Sequence, residues 1–277
     1  MVDLSTQLGP LSLRSPLVAA CGTVGSVVDF VAVGALEAYG AAVAKSVSDV
    51  PWQGRPVPRL ATTDVGMLNG IGIQNPGVSA WLAEDGPGLD QVGVPVWGSA
   101  VGHSIEAFAA VAGALTNTSV AAIEVNLSCP NLEGGGMFAL DADASAAVVA
   151  AVRSTTRLPI GAKLSPNSED IVAVARAVQE AGADWVVLTN TVWGAGIDIE
   201  TRRPQLSGVV GGYSGRAIKP IAMRCVWEVA TALPELPIVG CGGVANGGDV
   251  VEYLLAGASA VAMGTVHFAE PRAGRRV

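Results

Sequence analysis

Eight short apolar, β-branched runs recur along the chain, and longer Ala-rich segments of helical period separate several of them. The runs cover residues 17–20, 41–46, 95–101, 121–127, 160–164, 185–190, 237–241 and 260–264; the helical segments cover 104–115, 142–155, 168–181, 217–232 and 247–256. Such alternation marks parallel strands joined by helical crossovers, and about eight units favour a closed barrel over an open sheet. The expected fold is therefore α/β, a (β/α)₈ (TIM) barrel forming a single domain over residues 1–277. Gly182 and Gly257 each follow a helical segment and precede a strand, as helix-terminating glycines do. Residues 4–13 alternate around Gly9-Pro10 and read as an N-terminal hairpin plugging the barrel floor. The long insertion after the second strand, between Ser46 and Pro95, is rich in Gly and Pro and reads as loop. Loops longer than about 15 residues are usually functional. Beyond the eighth strand, residues 267–277 hold Pro271, Gly274 and three arginines, so the closing C-terminal helix of a barrel is missing from this reading.

Composition narrows the function. With 50% hydrophobic and 14% charged residues, the chain lies far from the disordered range. Its mean hydropathy of +0.47 is read as strands buried on both faces. The apolar stretch 16–44 carries Asp29, Glu37 and four glycines, too many interruptions for a spanning helix, and the Met1-Val2-Asp3 start has no basic leader region. Cys21, Cys129, Cys225 and Cys241 are widely spaced without a CxxC, which argues against disulfides, zinc or an iron–sulfur cluster in this chain. A net charge of −8 argues against nucleic acid. A cytoplasmic protein with no bound metal and no membrane or nucleic-acid partner is expected.

Only Lys45, Lys163 and Lys219 are lysines, against thirteen arginines. A chain that meets its need for positive charge with Arg retains a lysine where a compact ammonium on a flexible stem is required. Two of the three fall where strands end. In a barrel the active site lies at the C-terminal ends of the strands. There the chain reads Lys45-Ser46, Asn126-Leu127-Ser128-Cys129-Pro130-Asn131, Lys163-Leu164-Ser165, Thr189-Asn190-Thr191, Cys241-Gly242-Gly243 and Gly264-Thr265. The two glycine turns suit a phosphate, because backbone N–H groups approach the anion at a helix N-terminus; two tight turns into helices are the plainer reading. Cys129, followed by Gly134-Gly135-Gly136, is a candidate base or nucleophile on a loop with a glycine hinge. Cys225, within a helical segment, reads as core. Asn69, Asn126, Asn131 and Asn190 are amides suited to reading the N–H and C=O edge of a pyrimidine, although any one of them alone is an ordinary turn residue.

Five segments, in order, carry a family resemblance: Gly66-Met67-Leu68-Asn69-Gly70-Ile71-Gly72-Ile73-Gln74-Asn75-Pro76-Gly77, Glu124 to Asn131, Lys163 to Asn167, Gly211 to Pro220 and Gly240 to Asp249. They resemble the class 1 dihydroorotate dehydrogenases, and the Gln-Asn-Pro-Gly and Thr201-Arg202-Arg203-Pro204 segments resemble the B-type catalytic subunit. The resemblance implies oxidation of dihydroorotate to orotate in de novo pyrimidine (UMP) biosynthesis, with FMN as cofactor. By that resemblance Cys129 removes a proton while hydride passes to the flavin. Lys45, Asn69, Gly70, Ile71, Gly72, Ile73, Asn126, Asn131, Asn190 and Thr191 then hold the substrate. Cys21, Lys45, Ser46, Ser99, Asn126, Lys163, Thr189, Gly215, Gly242, Gly243, Gly264 and Thr265 hold the flavin. The implied assembly is a homodimer within a heterotetramer, its partner subunit carrying FAD and a 2Fe–2S cluster and delivering electrons to NAD. The family usually has Ser at position 21 and Asn at position 99, so weaker flavin retention is expected; Arg216 stands where many relatives carry Pro.

Other readings of the same residues are a flavin-dependent dihydropyrimidine or dihydrouracil dehydrogenase, or an A-type enzyme using fumarate. A dihydrouridine synthase acting on RNA, a flavin-free isomerase or lyase for a sugar phosphate, and a non-catalytic remnant complete the set.

Overall fold

The computed structural model describes residues 3–128 and 137–277. Eight strands close a parallel barrel in sequence order: β1 (Leu17–Ala19), β2 (Ala41–Val43), β3 (Val96–Ala100), β4 (Ala122–Asn126), β5 (Ile160–Lys163), β6 (Trp185–Leu188), β7 (Ile238–Cys241) and β8 (Ala260–Met263). Each lies within one of the eight expected runs. Their two-residue period sends Val18, Ala41, Val43, Trp97, Ala122, Val187, Val239, Ala260 and Ala262 to the inside. Trp97 and Trp185 fill its centre, ring centroids 5.0 Å apart, and Gly161 makes room for them. The other parity, such as Ile123, Val125, Ala162 and Val186, packs outward.

Among the described residues the helices are, in chain order, α1 (Val78–Glu84), α2 (Ile105–Thr116), α3 (Ala142–Thr155), α4 (Ile171–Glu180), α5 (Lys219–Ala232), α6 (Gly247–Leu255) and α7 (Val266–Ala269). Ser104, Asp141 and Asp170 cap α2, α3 and α4 by accepting a bond from a backbone N–H in the first turn. Asn246 and Asp249 form a reciprocal capping box on α6. Between β1 and β2 only two 3₁₀ turns, Asp29–Ala32 and Leu36–Ala38, take the place of a helix. After β8 come the four-residue α7 and a 3₁₀ turn, Ala273–Arg275. Among the described residues no helix is long and apolar enough to cross a membrane.

The N-terminal hairpin, Thr6–Leu8 paired with Leu11–Leu13, closes the barrel floor as expected. Leu8 and Leu13 enter the inner core, and Thr6 Oγ1 donates to the Ser259 carbonyl at 2.8 Å, just before β8.

The insertion departs from expectation. It is not simple loop: it contains α1 and two strands, Leu60–Thr63 and Gly66–Asn69. With Val192–Ala195 and Val210–Gly215 these form a four-stranded antiparallel sheet beside the barrel mouth. Glycine belongs in it for a physical reason. A Cβ on Gly66 would lie 2.2 Å from the Ser214 carbonyl oxygen of the paired strand, so the residue that looks like a loop-former permits the pairing.

Two outcomes follow from this packing. An added methyl in Gly161→Ala meets the Trp185 indole at 2.2 Å, so urea denaturation should show a loss of about 1–3 kcal/mol. His267 is buried between Tyr39 Oη (2.8 Å from Nε2) and Thr23 Oγ1 (3.0 Å from Nδ1), and burial lowers its pKa from 6.5 to about 4. The unfolded chain therefore binds the extra proton first, and stability falls as pH drops from 6.5 to about 4. Denaturation across that window should show the advantage of wild type over His267→Gln shrinking by up to about 3 kcal/mol, with no further change below it.

Candidate active site

The site is built where the inward parity runs out of apolar residues. On β4 the inward series is Ala122, Glu124, Asn126; on β5 it is Gly161, Lys163. Ser99 on β3 is the register partner of Glu124, and Asn126 that of Lys163. Polarity thus increases toward one end of the barrel.

Lys163 Nζ lies 3.6 Å from Glu124 Oε1, with side-chain exposures of 7% and 2%. Burial alone would draw the lysine down, but the Glu124 carboxylate more than offsets it, and Lys163 is held above the usual lysine range. Burial in turn pushes the Glu124 carboxyl up, with Lys163 opposing. At 3.6 Å the two ionisable groups are within ion-pair range, each the main opponent of the other's desolvation. Among the described residues Glu124 Oε1 meets no hydrogen-bond donor. Cys241, at the end of β7, is kept a thiol by burial.

A continuous polar chain crosses the mouth. Cys21 Sγ lies 3.3 Å from Ser46 Oγ, which is 2.9 Å from Ser99 Oγ and accepts from Asn126 Nδ2 at 3.1 Å. Asn190 Nδ2 donates to Asn126 Oδ1 at 3.2 Å and to the Ser128 carbonyl at 2.8 Å. Asn190 Oδ1 accepts from the Thr191 amide, and Asn69 Nδ2 reaches the Gly212 carbonyl at 3.1 Å. Space for a side chain at Gly212 is taken by Thr191 and Asn69. The antiparallel sheet thereby brings Asn69 of the insertion to the strand-six residues. Thr189 joins the ends of β6 and β7 through its amide on the Cys241 carbonyl.

The glycine turns lie together. Thr265 Oγ1 donates to Ser214 Oγ at 2.8 Å, next to Gly215. A Cβ on Gly242 would meet Ala222, and one on Gly243 would meet Lys219, so only glycine lets α5 pack this close to the turn. The amides of Gly242, Gly243, Gly264 and Thr265 find no protein acceptor among the described residues. Lys219, the third lysine, is engaged by Asp249 (2.7 Å) and Glu252 (2.8 Å) and ties α5 to α6.

Other expected residues lie at the rim. The Lys45 amide donates to the Gly25 carbonyl. Gly70, Ile71 and Gly72 close on Arg59, Arg55 and Gly54 within the insertion, and Ile73 is buried in the outer core. Cys129 and Asn131 lie outside the described residues. Cys225 is buried in α5, as read. Glu124 was not singled out by the sequence, although its place in the strand period, two before Asn126, marks it as inward-facing. A separate groove of about 920 Å³, between Leu60, Thr62, Met67 and Arg203, lies on the antiparallel sheet, away from the lysine.

The comparisons agree with this geometry. The family profile of dihydroorotate dehydrogenase matches residues 3–277. Dihydroorotate dehydrogenase B (NAD(+)) catalytic subunits from Citrifermentans bemidjiense and Geobacter sulfurreducens are each 44% identical over 99% of this chain and 90% of their own length. The one from Alkaliphilus metalliredigens is 42% identical over 98% and 90%. A crystal structure of DHODH in complex with ferulenol, from Eimeria tenella, superposes with a TM-score of 0.82 at 21% identity, covering 99% of this chain and 82% of that one. A closed eight-stranded barrel, a polar mouth at the strand ends and identity along almost the whole length lead to one conclusion: the chain belongs to the dihydroorotate dehydrogenase family.

Proposed function

We propose that this chain is the catalytic subunit of a B-type dihydroorotate dehydrogenase, oxidising dihydroorotate to orotate in pyrimidine biosynthesis as a single barrel domain. The observation that carries the reading is the buried ammonium of Lys163 at the head of a mouth lined by Asn126, Asn190 and Thr191.

The residues present fit FMN. The bare amides of Gly242, Gly243, Gly264 and Thr265, with Gly215 beside them, form an anion cradle for its phosphate. Cys21, Ser46, Ser99, Asn126, Lys163 and Thr189 offer polar groups to its ring from the strand ends. FMN, when bound, supplies the hydride acceptor. Lys163 holds positive charge where negative charge develops, within a wall that keeps water out.

Lys45, Asn69, Asn126, Asn131, Asn190 and Thr191, with the backbone from Gly70 to Ile73, bind the carboxylate and ring amides of the substrate. Amides both donate and accept, so they read the alternating N–H and C=O edge. Cys129 takes the proton from the substrate carbon. A separate subunit carrying FAD and a 2Fe–2S cluster returns the electrons to NAD; the designation of the 44%-identical relatives as NAD-linked catalytic subunits supports that partner.

The test is a visible spectrum of protein reconstituted with FMN, taken before and after anaerobic addition of dihydroorotate. The flavin band should bleach, and Cys129→Ala should bleach at least about 10²-fold more slowly, the usual contribution of a positioned base. Bound flavin that dihydrouracil bleaches instead would move the substrate to another dihydropyrimidine. Failure to take up FMN would overturn the cofactor assignment.

A further inference from the structure

The reading above gives Lys163 a role and leaves its buried neighbour without one. Glu124 sits mid-strand on β4, 2% exposed, facing inward one step below Asn126. Its Oε1 has no hydrogen-bond donor among the described residues, and the lysine stands at 3.6 Å. A carboxylate placed for stability alone would be expected to have its lone pairs satisfied, because burial of a bare one costs several kcal/mol. The pair stands within ion-pair range at the outer edge of hydrogen-bonding distance, and the ammonium makes no shorter contact with an acceptor among the described residues.

We propose that Glu124 is a positioning residue for the flavin site: a fixed buried counter-charge that keeps Lys163 an ammonium and sets how much net positive charge the lysine presents to the flavin ring. This rests on the FMN reading.

Without its partner a buried lysine gives up its proton readily; fully buried examples fall to a pKa of about 5–6. Among the described residues the titratable groups that act on Lys163 are Glu124 from β4, Cys241 from β7 and Cys21 following β1. Burial raises the Cys241 pKa, so that thiol cannot replace the carboxylate near neutral pH. Glu124 is the only carboxylate of the three.

The experiment is a measurement of the FMN midpoint potential from about pH 5 to 10 in wild type, Glu124→Gln, Lys163→Met and the double variant, with FMN uptake recorded for each. In Glu124→Gln the curve should gain a step absent from wild type. Across that step the reduction equilibrium should fall at least tenfold, about 30 mV for a two-electron couple, as Lys163 loses its proton. The step should vanish in the double variant. Glu124→Asp, with its charge withdrawn by one methylene, should show a smaller step at higher pH, and it serves as the test should Glu124→Gln fail to fold. Wild-type and Glu124→Gln curves that run parallel overturn the proposal. So does a Glu124→Gln step that persists without Lys163, since the carboxylate would then act on the flavin directly. Lack of FMN uptake by wild type removes the functional reading and this proposal with it, whereas uptake with parallel curves removes the proposal alone.

Discussion

Closure of the hydrogen-bond ladder is the constraint on which everything else depends. The barrel strands are three to five residues long, at the short end of the usual range, and each offers few ladder bonds of its own. Joining β8 to β1 pairs every edge and buries both faces of each strand. The inside must then be filled without voids. Small inward residues at Ala41, Ala122, Gly161 and Ala260 leave a space that Trp97 and Trp185 occupy together. Closure also assembles the site, since it brings together strand ends far apart in sequence. Ser46 and Asn126, separated by 80 positions, share a hydrogen bond only because β2, β3 and β4 are neighbours around the ring.

The polar chain across the mouth gives physical meaning to two departures from the family pattern. Cys21 and Ser99, the two positions at which the resemblance leads one to expect Ser and Asn, converge on one hydroxyl, Ser46 Oγ. They are therefore one local change and not two independent ones. A thiol is a weaker donor than a hydroxyl, and a serine reaches less far into the mouth than an amide. Ser46 compensates by linking both to Asn126, so the row remains connected to Asn190.

How much of this was legible depends on burial. All eight barrel strands were readable because strands buried on both faces appear as continuous apolar runs. Several were drawn too long at their polar ends: β2 stops at Val43, and Lys45 and Ser46 lie beyond it. The sheet in the insertion looks like loop in the sequence, because its strands are half exposed and rich in glycine, and neither periodicity nor β-branching distinguishes them. Between the first two strands the sequence offers no segment of helical period, and 29–38 closes as two 3₁₀ turns. At the site, Lys163, Asn126 and Asn190 were found as polar groups at strand ends. Glu124 was passed over because it lies inside a run; counting in twos back from Asn126 would have found it.

The placement of that pair carries an argument about purpose. An apolar pair of similar volume in a buried position is often as stable as an ion pair or more so. The barrel has no need of charge to hold itself: its ladder is closed and its centre is filled by two indoles. A charge pair contributing to the fold would also be expected to satisfy its oxygens, as Asp249 does when it accepts from Lys219 and from the amides of Ala245 and Asn246. Glu124 and Lys163 differ: they stand 3.6 Å apart one step below the mouth, and among the described residues Glu124 Oε1 has no hydrogen-bond donor. The fold tolerates this arrangement because the closed ladder contributes stability elsewhere, and the arrangement concentrates one positive charge where the barrel opens.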